Sequence, residues 1–427
     1  MNKTKEILIT GFALFSLFFG AGNLLIPPLL GYNAGGDWLW VSIGFMLTAV
    51  VIPILGILAH ARLQGTMYDF AKKVSPLFSI VYCILVYAIS IAIPSPRTAA
   101  ATHEMAIFPL FGTSPLLTSS IYFGLVLLFV LNRAKILNVI GKYLTPLIVL
   151  ILLLVIGVGL FASDVQMNSS TFEMPLVSGM LEGYQTFDAI GAVVVGGVLI
   201  ISLNLKGHTA RTEKRELIKK AGLIAGVGLF VIYAGLISVG AFYGKEILID
   251  SAASSDMQRA NLLRGISIAT LGRIGTVFFS VLLALACFTT AVGIVTGTAD
   301  YFKGLFNNSQ KAYVVTAIIG SLIGIAIGQL NFHSIIVIAY PVLLFIYPIT
   351  IVLILLNVLP EKFAGAQVFR TVVVVTFLFS IPDVLGFVAP TLQIDPIVNL
   401  IPFAKQSLGW VVPAFVTFVI MNVVKRK

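Results

Sequence analysis

Runs of about twenty apolar residues follow one another along almost the whole chain, and this repetition leaves few ways to fold. In lipid every backbone N–H and C=O must be satisfied by the protein itself, and a helix does so within its own segment. The runs predict twelve spans, at about 7–31, 38–60, 75–107, 115–131, 137–161, 181–204, 217–242, 270–302, 312–328, 334–358, 371–389 and 398–424. Only 10% of the 427 residues are charged, against about 25% in a soluble domain. The expected fold class is therefore an all-α polytopic membrane protein, one transmembrane domain over 1–427. The third run is too long for a straight crossing and must tilt, kink or break.

Charge gives the expected orientation. With both termini in the cytoplasm, all but six of the 27 Lys and Arg residues fall on the inner side. The six are Arg97, Lys245, Arg259, Arg264, Arg273 and Lys405. This obeys the positive-inside rule, so the net charge of +10 reads as topology and contact with lipid headgroups. A nucleic-acid partner would need a basic soluble surface, and no segment offers one. The first apolar run reads as a true span rather than a cleavable signal. Cys83 and Cys287 sit in apolar runs and read as reduced packing residues. The four histidines are scattered and form no zinc motif.

The first span carries a flaw. The stretch from Phe12 to Leu30 has Gly20-Ala21-Gly22-Asn23 at its middle and Pro27-Pro28 just beyond. In a helix interior Gly costs about 1 kcal/mol and Pro about 3. Interrupted helices at the bilayer midplane are where secondary transporters bind substrate and ions. Five spans fill 7–161 and five more fill 181–358, and an odd number per unit inverts the second copy; 371–424 adds two helices. The second unit's first span is interrupted in turn, at Thr186-Phe187-Asp188-Ala189-Ile190-Gly191. The connections at 60–75 and 243–269 both carry amphipathic patterns. In the latter, Ser255 or Asp256 would cap a helix with apolar face Met257, Leu262, Leu263 and Ile266. These hairpins read either as gates on opposite sides or as interfacial helices that only pack.

The breaks offer chemistry. The half-helix before Gly20 ends in free carbonyls, which attract a cation or ammonium; the half after it begins with free N–H groups, which attract a carboxylate. Asn23 can cap the second half or lend its side-chain oxygen to a cation. Pro27 and Pro28 are expected within the first turn after the break, where donors are unpaired anyway. The alternative is that Gly20 and Gly22 serve close helix packing. Asp188 is an intramembrane carboxylate, a costly residue that by default points to function. It could bind an ammonium, assist a cation, carry a proton or cap a half-helix. Span eight contains Ala286-Cys287-Phe288-Thr289-Thr290, whose hydroxyls suit a hard cation or simply bond carbonyls one turn back. Arg97 and Glu104, two turns apart, would line an outer vestibule or lie at the interface.

The run from Phe18 to Pro28, FFGAGNLLIPP, resembles the signature of the branched-chain amino acid:cation symporter family. Pro96-Arg97-Thr98-Ala99 resembles that family's Pro-Arg-Thr-Ala motif, and Gly183 to Ala189 its span-six motif. The resemblance covers essentially the whole chain. It implies a bacterial cytoplasmic-membrane symporter taking up leucine, isoleucine and valine with Na⁺ or H⁺. It also implies a LeuT-like 5+5 inverted repeat with helices 1 and 6 broken. On that analogy Gly20, Ala21 and Gly22 receive the substrate carboxylate, beside Thr186, Phe187 and Asp188. One Na⁺ site would use the carbonyls of Ser16, Phe19 and Ala286 and the hydroxyls of Thr289 and Thr290, with Thr290 in place of the usual Ser. Asn23 matches a second Na⁺ position, where acidic Asp188 departs from the usual hydroxyl.

The leading expectation is Na⁺-coupled import of branched-chain amino acids by alternating access, with spans one, two, six and seven rocking against a scaffold. One methylene is worth only about 1–3 kcal/mol of discrimination, so breadth across the three substrates is expected. An H⁺-coupled carrier of these or another neutral amino acid is the alternative, with Asp188 carrying the proton. An enzyme would need a nucleophile–base pair or a metal motif, and the chain has neither. No obligatory protein partner is evident.

Overall fold

The computed structural model describes residues 3–424 except 133, 134, 163–166, 244–246, 248, 251, 252, 390, 391, 393 and 394. Among these every regular element is helical. Arg133, Lys245, Lys425, Arg426 and Lys427, all used above for orientation, lie outside the described residues. The first apolar run forms α1 (Lys3–Phe18) and α2 (Ala21–Ala34), separated at Phe19–Gly20. Next come α3 (Trp38–Met46) and α4 (Ile52–Leu63), continuous through a π-turn at Leu47–Val51, then short α5 (Met67–Ala71). The overlong third run is α6 (Pro76–Ala92), α7 (Pro94–Ala101) and α8 (Phe108–Phe111). It kinks at Ile93 because Pro94 and Pro96 lack the N–H groups that would continue the ladder.

The chain continues with α9 (Pro115–Leu131), α10 (Ile136–Val139) and α11 (Thr145–Ala162). The second interruption lies between α12 (Pro175–Tyr184) and α13 (Asp188–Leu205). There follow α14 (Arg211–Phe242), α15 (Ser255–Leu271), α16 (Gly275–Leu305), α17 (Gln310–Ile327), α18 (Phe332–Val358), α19 (Ala366–Val388), α20 (Asp395–Leu400) and α21 (Val411–Val424). Among the described residues, nine helical stretches are long and apolar enough to cross a membrane. Each of the twelve predicted spans overlaps at least one of the helices.

Several local expectations change. The second break falls at Gln185–Phe187, so Ala189, Ile190 and Gly191 already belong to α13. Pro27 and Pro28 lie in the second turn of α2 rather than its first, which removes the helical donors for the Asn23 and Leu24 carbonyls. The cap of α15 is Ser254, which accepts from Met257 N; Asp256 is buried in ion pairs instead. Of the apolar face foreseen there, Leu262, Leu263 and Ile266 are buried and Met257 is exposed. Cys83 and Cys287 are free and buried, as packing residues are.

Two helix pairs approach closely through glycine. A Cβ on Gly31 of α2 would lie 1.9 Å from Ile237 O, and one on Gly240 of α14 2.0 Å from Pro28 O. Gly44 of α3 and Gly179 of α12 meet the facing backbone in the same way, at 1.9 and 2.2 Å. Small residues let backbones touch where lipid gives no hydrophobic drive for association. Helices α2, α3, α12 and α14 thus make a tightly joined group.

The two ends of the bundle differ. One carries the lysine-rich connections: Lys3 pairs with Glu216 at 3.0 Å, and Arg62 Nη1 donates to Val358 O at 3.0 Å. There Glu6 of α1 also takes His208 at 2.9 Å and Lys206 at 3.8 Å, while His208 reaches Glu213 at 3.1 Å. Burial alone would lower the His208 pKa, but Glu6 and Glu213 outweigh it and raise it above the ordinary 6.5. At the opposite end Arg259 of α15 binds Glu182 at 2.7 Å, Asp256 at 3.0 Å and Gln185 Oε1 at 3.0 Å. His333 reaches Asp256 at 3.2 Å, so α15 is clamped onto α12 and α18.

Candidate functional site

The two breaks meet. Asn23, on the first turn of α2, reaches back with Oδ1 to accept from Gly20 N at 3.1 Å. Its Nδ2 donates to Asp188 Oδ2 at 2.6 Å and to Tyr233 Oη of α14 at 2.5 Å. Asp188 is the first residue of α13 and is 2% exposed. It does not cap that helix: its own N–H donates to Thr186 Oγ1 at 3.3 Å, and Thr186 Oγ1 donates to Gly183 O at 2.8 Å. The carboxylate bonds neutral groups and is drawn toward α2.

The Gly20 amide is therefore occupied by Asn23. The Ala21 and Gly22 amides remain, since first-turn N–H groups have no partner within a helix. Gly20 also has a packing reason. A Cβ there would stand 2.9 Å from Thr290 Oγ1, so glycine lets α16 close against the break. Phe187 takes the left-handed conformation with φ +64°. For a bulky side chain this is a strained outlier, of the kind that gathers at ligand sites.

A cavity of about 30 Å³ lies at the break, lined by Gly20, Ala21, Gly22, Asn23, Pro94, Arg97, Thr98, Thr186, Phe187 and Thr290. It holds little more than one water. Asp188 does not line it; it sits behind Asn23. Larger cavities lie elsewhere. Two, of about 440 and 420 Å³, are almost wholly apolar and lie away from the break, against α18, α19 and α21 and against α9. A third, of about 220 Å³, is lined by Thr66, Tyr68, Tyr87, Asp300 and Tyr301 and reaches α13 at Gly197, Val198 and Ile201. It lies beside α5, on the lysine-rich half of the molecule.

A second cluster joins α1 to α16. Thr289 Oγ1 lies 2.8 Å from Ser16 O, 3.1 Å from Ser16 Oγ and 3.1 Å from Ala286 O. Ser16, Ala286 and Thr289 are fully buried, so four oxygens converge in a dry place. Thr290 Oγ1 bonds Ala286 O at 3.2 Å and faces Gly20. The Phe19 ring stacks on Phe15 and Tyr233, 5.3 and 6.1 Å between centroids.

Arg97 is a residue of the break rather than of a lipid–water interface. The kink at Ile93 turns it inward, where it is 5% exposed and lines the break. Glu104 lies within a π-turn at Thr102–Ile107 and accepts from Phe332 N at 2.8 Å instead. Tyr233 carried no signal beyond a polar tip inside an apolar run.

Compared with known proteins, residues 3–427 match the model of the family described as branched-chain amino acid transport protein. The chain belongs to this family. It is 33% identical to the branched-chain amino acid transport system 2 carrier protein of Pseudomonas aeruginosa, over 99% of this chain and 97% of that one. It is also 33% identical to the branched-chain amino acid permease BraB of Bacillus subtilis, over 97% and 94%. Among solved structures it resembles MhsT in complex with L-phenylalanine, with TM-score 0.54, 18% identity and 97% of each chain covered. It also resembles the manganese transporter of Eremococcus coleocola, with TM-score 0.61, 15% identity, and 99% and 96% covered. At these identities the likeness establishes the fold, which is LeuT-like. Family membership makes the chain a multi-pass membrane transport protein and not an enzyme.

Proposed function

We propose that this chain is a Na⁺-coupled symporter that imports leucine, isoleucine and valine by alternating access across a bacterial cytoplasmic membrane. The observation that carries the reading is the convergence of Ser16, Ala286 and Thr289 oxygens where the last turn of α1, just before the break, meets α16. Buried carbonyl and hydroxyl oxygens with no net charge suit a small hard cation. A Na⁺ there would sit at the carbonyl end of α1, whose dipole favours it. The substrate carboxylate would face the Ala21 and Gly22 amides at the start of α2. Cation and substrate thus share one interrupted helix, and filling one half favours filling the other.

The same reading takes 7–161 and 181–358 as inverted repeats, 371–424 as two added helices, and both termini as cytoplasmic. Helices α1–α4 and α12–α14 form the moving group. The Arg259–Glu182 clamp is then extracellular, and the 220 Å³ cavity opens inward. H⁺ coupling is the second reading, favoured by one observation: the Asp188 carboxylate meets Asn23, a neutral side chain. Radiolabelled leucine uptake into proteoliposomes, under an imposed Na⁺ or H⁺ gradient, decides between them. Accumulation driven by Na⁺ at fixed pH supports Na⁺ symport. Accumulation driven only by H⁺ overturns it.

A further inference from the structure

We propose that Arg97 is the carboxylate anchor of the substrate site. The inference rests on the transport of amino acids proposed above and adds the group that distinguishes an amino acid from its amide or amine.

A buried guanidinium costs several kcal/mol unless it is paired. Arg97 is 95% buried by its 5% exposure, yet among the described residues no carboxylate stands within ion-pair distance of it. The acidic groups nearest that end of the molecule, Glu182 and Asp256, are taken by Arg259. Arg97 has five N–H groups to place. Nη1 donates to Gln185 O at 3.1 Å, and Nε has no partner. Two rings flank the charge, Phe332 at 4.9 Å and Phe187 at 5.8 Å. They shield it from water without neutralising it.

The unpaired side of the fork faces the break. Nη2 stands 3.6 Å from where a Cβ on Gly22 would sit, over the first turn of α2. The Ala21 and Gly22 amides are unpaired there for a separate reason, the geometry of a helix start. Two independent sets of donors therefore converge on one small space. A planar carboxylate is the ligand that a guanidinium fork binds bidentately, and helix N-termini hold the same group. Leucine, isoleucine and valine share one anionic group, the α-carboxylate. In this arrangement Nε and Nη2 take the carboxylate while Nη1 keeps the Gln185 carbonyl. Binding then joins α7 to the end of α12 as well as to α2.

The test uses the purified full-length chain in proteoliposomes, with displacement of radiolabelled leucine by leucine, leucinamide and isopentylamine. The wild-type protein should prefer leucine over leucinamide by roughly 10- to 100-fold, the range for hydrogen bonds to a charged group. Arg97→Gln should weaken leucine by a similar factor and leucinamide by less than about 3-fold, so that the preference collapses. Arg97→Lys, which keeps the charge but loses the fork, should fall between. An Arg97→Gln protein that retains the wild-type preference overturns the anchor, as does one that loses both ligands equally. If Arg97→Gln does not fold, a wild-type protein that binds leucinamide as well as leucine overturns it without any variant. A wild-type protein that binds no leucine removes the substrate reading itself, and with it the anchor.

Discussion

Asn23 Nδ2 lies 2.6 Å from Asp188 Oδ2, so the two interrupted helices are tied side chain to side chain across 165 residues. The contact makes each break the other's support. A hydrogen bond typically contributes about 0.5–1.5 kcal/mol net, and this one is made only while α2 and α13 keep their present spacing.

Asp188→Asn preserves the shape of this contact and removes its ionisable group. Cation-driven leucine accumulation should fall by about 10-fold or more. Exchange of leucine down no gradient should be less affected. Measuring both in proteoliposomes separates coupling from binding; equal loss of both would assign Asp188 a structural role.

Thr289→Ala removes the hydroxyl that bridges Ser16 and Ala286. The Na⁺ concentration giving half-maximal leucine uptake should rise roughly 10-fold, as for one lost ligand to a charged group. A Na⁺ titration at saturating leucine checks it, and an unchanged midpoint removes Thr289 from the ion site.

Gly31→Ala would force a methyl to 1.9 Å from Ile237 O, and backbone cannot yield as a side chain can. Overpacking of this kind costs about 1–3 kcal/mol. Thermal unfolding in detergent should show the loss. Gly36→Ala is the control, because no atom lies within 4 Å of its added Cβ.

His208 gives a pH dependence with a definite sign. Its pKa is raised in the folded state by Glu6 and Glu213 against the opposing effect of burial. The stabilisation is fully present below the unfolded value of 6.5 and is lost as pH rises through the folded value. Wild type should therefore exceed His208→Gln in melting temperature at pH 6, and the gap should narrow toward pH 8.5. A gap that widens with pH contradicts the network.

Much of this site was legible because helix-breaking residues are expensive in lipid and stand out against apolar runs. The Gly20–Asn23 interruption carried that signal, and its counterpart showed as an acidic residue inside an apolar run. The Ala286–Thr289 pair offered only hydroxyls, which also suit a bond one turn back, and its ion role came from the family resemblance. Arg97 carried a signal too, but its location did not follow from it. An arginine after two prolines suits a helix end at the interface as well as a kink that turns inward, and only packing against α2 and α12 selects the second. Tyr233 was not legible at all, because its partner lies 210 positions away on another helix. The second break was misplaced by a few residues, since a left-handed Phe187 is not what composition favours.

The cavity beside Tyr68, Tyr87, Asp300 and Tyr301 has about seven times the room of the one at the break. A compact polar inhibitor wedged there would hold α13 and α16 apart without touching Gly20, Arg97 or Thr289. On the proposed orientation, where this cavity opens inward, leucine added from outside would not displace it. Such a compound would then lower the maximal rate and leave the apparent affinity for external substrate nearly intact, a noncompetitive pattern.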